Sequence, residues 1–190
     1  MAESLDELQG RIGYRFRDVR YLEQAVTHSS YANETIEKKR HLHCNEGLEF
    51  LGDSVLSLTV SEYLYSSFPS SPEGDLTRMR AALVCEETLA GYAAGLGLGE
   101  FLRFGKGERA GGGAKKPAIL ADAFEALLAA IYLDAKEGGR QAVSDFLLPR
   151  IRQTAEGLPA WGGDSKSQLQ VFLQKDGSRL PEYRVVSETG

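Results

Sequence analysis

The stretch NEGLEFLGDSVL, Asn45 to Leu56, carries the fold and the chemistry of this chain together. Leu48, Leu51, Val55 and Leu56 recur at helical spacing, the mark of one buried face. Glu46, Glu49 and Asp53 interrupt that apolar run. Glu49 and Asp53 are four residues apart, so a helix stacks them on one side, where like charges cost a few tenths of a kcal/mol. A chain selected only for folding would place Lys or Arg at one of the two positions. A bound cation would remove the repulsion.

A second stretch repeats the arrangement. ILADAFEALLAAIYLD, Ile119 to Asp134, sets Asp122 and Glu125 three residues apart in a strongly apolar helix. Two helices that each offer two carboxylates can build one acidic site. Hard oxygen ligands of this kind suit Mg²⁺, with Mn²⁺ able to substitute. Such ions activate a water and stabilise the leaving oxygen of a phosphodiester. Taken singly, each pair reads as an ordinary solvated face. The two pairs together favour a metal site.

These residues give the chain its resemblance to bacterial ribonuclease III. NEGLEFLGDSVL matches that family's signature, and ILADAFEALLAAIYLD matches its second acidic helix. QAVTHSSYANE, EGDLTRMRAALV and FGKGERAGGGAKKP follow the family order around them. The resemblance implies that Glu49, Asp53, Asp122 and Glu125 are metal ligands, with Asp53 and Glu125 catalytic. Glu46 and Glu73 match supporting acids. Phe50 matches an aromatic knob that enters the partner at a two-fold interface. The implied activity is a Mg²⁺-dependent, homodimeric endoribonuclease acting on double-stranded RNA. It would leave 5′-phosphate and 3′-hydroxyl ends with a short 3′ overhang and process rRNA precursors and mRNA. The rival readings are a non-catalytic double-stranded-RNA-binding protein on the same fold, marked by loss of acids that are all present here, and an all-α structural domain without RNA.

The chain departs from the family in three places. Gly47 stands where the signature carries a basic residue, and a helical Gly costs about 1 kcal/mol relative to Ala. Cys44 stands where a His is usual. The basic run before ILAD is thinned to Lys115 and Lys116.

Working outward, residues 1–156 read as helices joined by short loops, an all-α ribonuclease III nuclease domain. Expected helices run from Asp18 to His28, from an Asn45 N-cap to about Phe68, from Asp75 to Leu83, from Glu86 to Gly95, and from Arg140 to Leu148. Pro117 opens the second acidic helix, and Gly138-Gly139 closes it. FPSSPEG is a loop, and GKGERAGGGAKKP reads as a flexible, positively charged loop too glycine-rich to be helical. Residues 157–163 read as a linker. Residues 164–190, with a helix over Ser165 to Lys175 and a strand over Glu182 to Glu188, resemble the truncated start of an α/β double-stranded-RNA-binding domain. Leu169, Phe172 and Leu173 share one side of that helix. The basic last helix of such a domain is missing before Gly190, which implies weaker RNA contact from this part.

With 190 residues and 42% hydrophobic content, the chain has room for one substantial core. No apolar run spans a membrane, the N-terminus lacks a signal-peptide core, and two cysteines give no disulfide framework. These features point to the cytoplasm. The net charge of −5 argues against a generic nucleic-acid binder, so phosphate contacts fall to local patches: Arg78, Arg80, Lys106, Arg109, Lys115 and Lys116. His41, His43 and Cys44 lack a second half at ligand spacing, which argues against zinc. His28, in THSS, reads as a packed, hydrogen-bonded histidine. Gly105 to Gly113 is no nucleotide-binding loop, for it lacks the closing Gly-Lys-Ser/Thr.

Overall fold

A computed structural model of the chain describes residues 4–34 and 44–157. The described part is all-α. Ten α-helices are present among the described residues: α1 (Leu5–Ile12), α2 (Val19–Ala25), α3 (Ser29–Glu34), α4 (Glu46–Ser67), α5 (Glu73–Leu83), α6 (Glu86–Gly95), α7 (Leu98–Phe101), α8 (Lys106–Ala110), α9 (Pro117–Asp134) and α10 (Gly139–Gly157). Two single 3₁₀ turns, Gly113–Lys115 and Lys136–Gly138, flank α9. The described residues contain no strand, only one isolated parallel bridge between Thr27 and Arg103.

The centre of the fold is α9. Its residues from Ala126 to Ile131 are buried on every side, as a helix that is apolar all round must be. α4 makes the most extensive contact with it, followed by α6, α2 and α10. Leu56, Val60 and Leu64 from α4, Leu89 and Ala93 from α6, and Leu147 and Ile151 from α10 close around Phe124, Leu127, Leu128 and Ile131. A smaller apolar cluster of Ala25, Leu48, Ala126, Ala129 and Ala130 seats α2 and the start of α4 on the same central helix. These small side chains let the helices approach closely.

Polar anchors fix the ends. Ser4 accepts the Asp6 amide at 3.1 Å, and Gly13 closes α1 at φ 74°, a left-handed conformation that glycine adopts without strain. Asp134, 2% exposed, ends α9. Its carboxylate accepts the Tyr14 hydroxyl at 2.8 Å and the amides of Arg17 and Asp18 at 2.9 and 2.8 Å. One buried acid thus ties the α1–α2 connection to the central helix. Burial, followed by this carboxylate, pushes the Tyr14 phenol up to about 12.

Several boundaries differ from the sequence expectation. α2 ends at Ala25, before His28, because the chain there turns to meet Arg103. Asn45 sits at the N-cap of α4, but its side chain does not cap. α9 ends at Asp134, ahead of Gly138-Gly139, and Gly139 begins the next helix. α10 runs through Pro149 to Gly157, since Ile151 and Ala155 continue its buried face beyond Leu147. The glycine-rich segment expected as a loop contains α8 and a 3₁₀ turn. One bond from outside the segment and one within it hold it. Glu34 accepts the Lys106 amide at 2.8 Å, and Lys116 pairs with Glu108 at 2.7 Å. The expected linker begins at Gly157, which instead ends α10; its remaining residues and the helix and strand beyond them, with Leu169, Phe172 and Leu173, lie outside the described residues, as do His41 and His43.

Candidate active site

The acidic site lies where α4 crosses α9. Glu49 belongs to the first turn of α4, and Asp122 and Glu125 to the second and third turns of α9. One carboxylate oxygen from each of these three residues lies within 4.8 Å of the others, and all three residues are half-buried. Gly52, one turn along from Glu49, allows the crossing to be this close. A Cβ at Gly52 would overlap the Glu125 carbonyl. The sequence carries that signal as the glycine between Leu51 and Asp53, although its role becomes visible only once α9 is in place.

The four acids on the two helix faces are not equally placed. Asp53 is exposed and stands outside the three-residue group, but its charge acts on Glu125. Burial pushes the Glu125 carboxyl up to about 7, and the charges of Asp53, Glu49 and Asp122 add to the effect. Glu49 is raised by burial, then by Asp122 and Glu46. Asp122 is raised by burial, then by Glu86, with His28 opposing. Crowding of partly desolvated carboxylates disfavours the charged form of each. A cation among them reverses that preference. Glu86, the first residue of α6, is a charge near the site that helical periodicity of the signature could not reveal, because α6 is remote in sequence.

The other candidate residues spread over three places. Glu46 is exposed at the start of α4 and takes a weak bond from the Cys44 thiol at 3.5 Å. Glu73 opens α5 and accepts the Thr77 hydroxyl at 2.8 Å. It lines a groove of about 240 Å³ with Ser61, Leu64, Tyr65, Leu76, Thr77 and Arg80. Arg80 donates to Ser61 at 2.9 Å inside that groove, and Arg78 pairs with Asp75. Lys116 is held by Glu108. Lys106, Arg109 and Lys115 are exposed and form no ion pair among the described residues. His28 is packed and hydrogen-bonded, with Nδ1 2.8 Å from the Ser30 hydroxyl and its ring against Phe104.

Phe50 is 80% exposed, and Leu58 and Tyr65 are 51% and 74% exposed. Their spacings of eight and seven residues put them along one face of α4. No described helix is long and apolar enough to cross a membrane.

The family model for Ribonuclease-III-like domains matches residues 18–153. The chain is 47% identical over 193 aligned residues to Ribonuclease 3 of Bacillus licheniformis, covering 100% of this chain and 74% of that protein. It is 50% identical over 189 residues to Ribonuclease 3 of Geobacillus kaustophilus, covering 97% and 73% of the two chains. Among solved structures, the nuclease domain of ribonuclease III from Campylobacter jejuni aligns with a TM-score of 0.71 at 39% identity, covering 79% of this chain and 97% of that one. That structure shows structural flexibility in a region of the Campylobacter domain involved in dimer formation.

Proposed function

The chain belongs to the ribonuclease III family and is an endoribonuclease of that type, and we propose that it cleaves double-stranded RNA with Mg²⁺ at the crossing of α4 and α9. The observation that carries this reading is the convergence of Glu49, Asp122 and Glu125 within 4.8 Å. Three carboxylates and no soft ligand fit a hard divalent cation. Asp53 completes the set from one turn along α4, and Glu46 stands beside it. When bound, the cation lowers the pKa of water and offsets charge on the leaving oxygen.

The chain's own residues do the rest. Half-burial of Glu125 and Asp122 strengthens the attraction between their carboxylates and a cation in a partly dry site. Gly52 fixes the spacing of the two helices. Lys106, Arg109 and Lys115, exposed and without an ion pair among the described residues, meet backbone phosphates. Arg78, Arg80 and Lys116 are held by protein groups, which makes them the weaker candidates. The products are 5′-phosphate and 3′-hydroxyl ends with a short 3′ overhang, and the substrates are rRNA precursors and mRNA.

The functional unit is a homodimer. The exposed stripe of Phe50, Leu58 and Tyr65 supports this, because a monomer leaves these large hydrophobic side chains wet at a cost. The groove beside Tyr65 offers a recess for the knob of a second copy. The residues 164–190 form the start of an RNA-binding domain, joined by the linker 157–163. The free cysteines support a reducing, cytoplasmic setting.

The deciding experiment incubates the chain with long double-stranded RNA, with and without Mg²⁺. Cleavage that requires the metal and is lost in Glu125→Gln supports the proposal. Equal cleavage by Glu125→Gln in about 1 mM Mg²⁺, a concentration at which a weakened site is poorly filled, overturns the site.

A further inference from the structure

The segment Val26 to Glu34 links the acidic helix to the basic one, and apart from His28, whose charge acts on Asp122, none of its residues has a part in the chemistry above. Its Thr27 carbonyl accepts the amide of Asn45, the residue before α4, at 2.8 Å. Arg103 bridges to it in both directions, donating its amide to the Val26 carbonyl at 2.8 Å and accepting the His28 amide at 3.1 Å. Two side chains then reach the start of α8. Ser30 accepts the Gly105 amide at 3.0 Å, and Glu34 accepts the Lys106 amide at 2.8 Å.

α8 is five residues long and is flanked by Gly105, Gly111, Gly112 and Gly113. So short and glycine-rich a helix cannot hold itself. Gly105 is needed for the docking, since a Cβ there would collide with the Glu34 carboxylate and the Ser30 carbonyl. Ser30 is itself oriented, with its hydroxyl 2.8 Å from His28 Nδ1 and its amide donating to the same nitrogen at 3.2 Å.

We infer that Glu34, with Ser30, is a positioning residue for RNA: it clamps α8 so that Lys106 and Arg109 meet the duplex phosphates at a fixed place relative to Glu49. The inference rests on the reading that these two cations touch RNA. It makes a counterintuitive prediction about sign. Deleting a carboxylate beside a cationic helix should tighten RNA binding by simple Coulomb attraction. Deleting a clamp should weaken it.

The test is RNA affinity and steady-state kinetics at low salt with Mg²⁺. Glu34→Ala is expected to raise Kd and KM about five-fold, the worth of one charge-assisted bond in a solvated place, with kcat held. Glu34→Gln, whose amide oxygen still accepts the Lys106 N–H, should return binding to within about two-fold of the parent. Glu34 is exposed, so both variants should keep the parent's melting temperature. Glu34→Ala that binds as well as or better than the parent overturns the inference. So does an Ala variant whose loss the Gln variant fails to rescue. Lys106→Ala/Arg109→Ala separates the premise from the inference. Affinity unchanged in that variant refutes the RNA contact, and the clamp falls with it. With the contact upheld, Glu34→Ala should add nothing in the Lys106→Ala/Arg109→Ala background, and a full additional loss there places its action elsewhere.

Discussion

Gly52 rests against the backbone carbonyl of Glu125 with no space between them for a methyl group. Backbone atoms cannot swing aside as a flexible side chain can, so Gly52→Ala must push α4 away from α9. Forced overpacking of this kind costs about 1–3 kcal/mol. The same displacement separates Glu49 from Asp122 and Glu125. The expected outcome is a lower melting temperature together with weaker Mn²⁺ binding, both measured without RNA. A variant that loses stability but keeps its metal affinity would show that the helix spacing does not set the site.

Protonation gives a second prediction. Glu125 in the metal-free protein titrates at about 7, above the carboxylates of an unfolded chain. Metal ligation needs the deprotonated form, so apparent Mn²⁺ affinity should fall about ten-fold for each pH unit below that value. Calorimetry in buffers of different ionisation heat should detect released protons at pH 6 and few at pH 8. Stability carries the opposite sign. The folded metal-free state binds the extra proton, so this contribution is complete below the unfolded carboxylate range and is lost as pH rises through 7. Glu125→Gln should therefore stabilise the metal-free protein at pH 8 by about 1–2 kcal/mol, after allowing for solvent screening. An unchanged melting temperature at pH 8 would refute the crowding of these acids.

The meeting of Glu49, Asp122 and Glu125 at the candidate site was foreshadowed in the sequence because these acids lie on two helices with strong local periodicity. Spacing puts Glu49 with Asp53, and Asp122 with Glu125, on shared helix faces, and the two pairs together point to a site; that Asp53 stands outside the three-residue group is seen only in the fold. The contribution of Glu86 and the contact of Gly52 with Glu125 depend on how remote helices pack, and no local pattern encodes that. The long helices α4, α6 and α9 were readable for the same reason as the acids. The short helices α1, α3 and α7 span eight residues or fewer, too few for a clear period. α8 ran against propensity outright, since its glycines speak for a loop, and the bonds from Glu34 and Ser30, with the Lys116–Glu108 pair, help to hold it. Asp134 was in plain view at the end of an apolar helix. Its role could not be read, because its three donors come from the opposite end of the chain.

That role is strong enough to measure. Asp134→Ala leaves the Arg17 and Asp18 amides and the Tyr14 hydroxyl without their acceptor in a buried place. Each unsatisfied donor costs about 1–3 kcal/mol, and partial wetting of the cavity should bring the total to about 3 kcal/mol. Asn at this position offers one acceptor oxygen where Asp offers two, so Asp134→Asn should recover less than half of the loss. Tyr14→Phe should cost about 1 kcal/mol. Urea unfolding orders the three variants, and a loss for Asp134→Ala no larger than for Tyr14→Phe would contradict the anchor.

Gly47 predicts a gain. It is the second residue of α4, exposed, with open space around its Cα. Gly47→Ala meets no neighbour and removes backbone freedom from the unfolded chain, which should add about 0.5–1 kcal/mol. The substitution leaves every acid in place, so metal affinity should stay at the parent value. A destabilised Gly47→Ala would mean that a neighbour fills this space in the assembled protein.

Assembly is tested at Phe50, which follows Glu49 directly yet turns away from the site. Its side chain is 80% exposed, so no packing among the described residues explains a large aromatic there. Burial against a second copy would contribute on the order of 2 kcal/mol for each ring, and two-fold symmetry would count it twice. Phe50→Glu puts a charge into that contact, where an unpaired carboxylate costs several kcal/mol. The same exposure means that the change does no harm to the fold of a single copy. Sedimentation at micromolar concentration should therefore show the parent as a dimer and Phe50→Glu as a folded monomer with native far-ultraviolet dichroism. Phe50→Leu, which keeps an apolar side chain of smaller size, should dimerise with intermediate affinity. Cleavage offers an independent readout. A dimer with one acidic site per copy cuts both strands in one encounter, whereas the monomeric variant should accumulate singly nicked duplex. A parent that sediments as a monomer, or a Phe50→Glu variant that dimerises as tightly as the parent, would remove Phe50 from the interface.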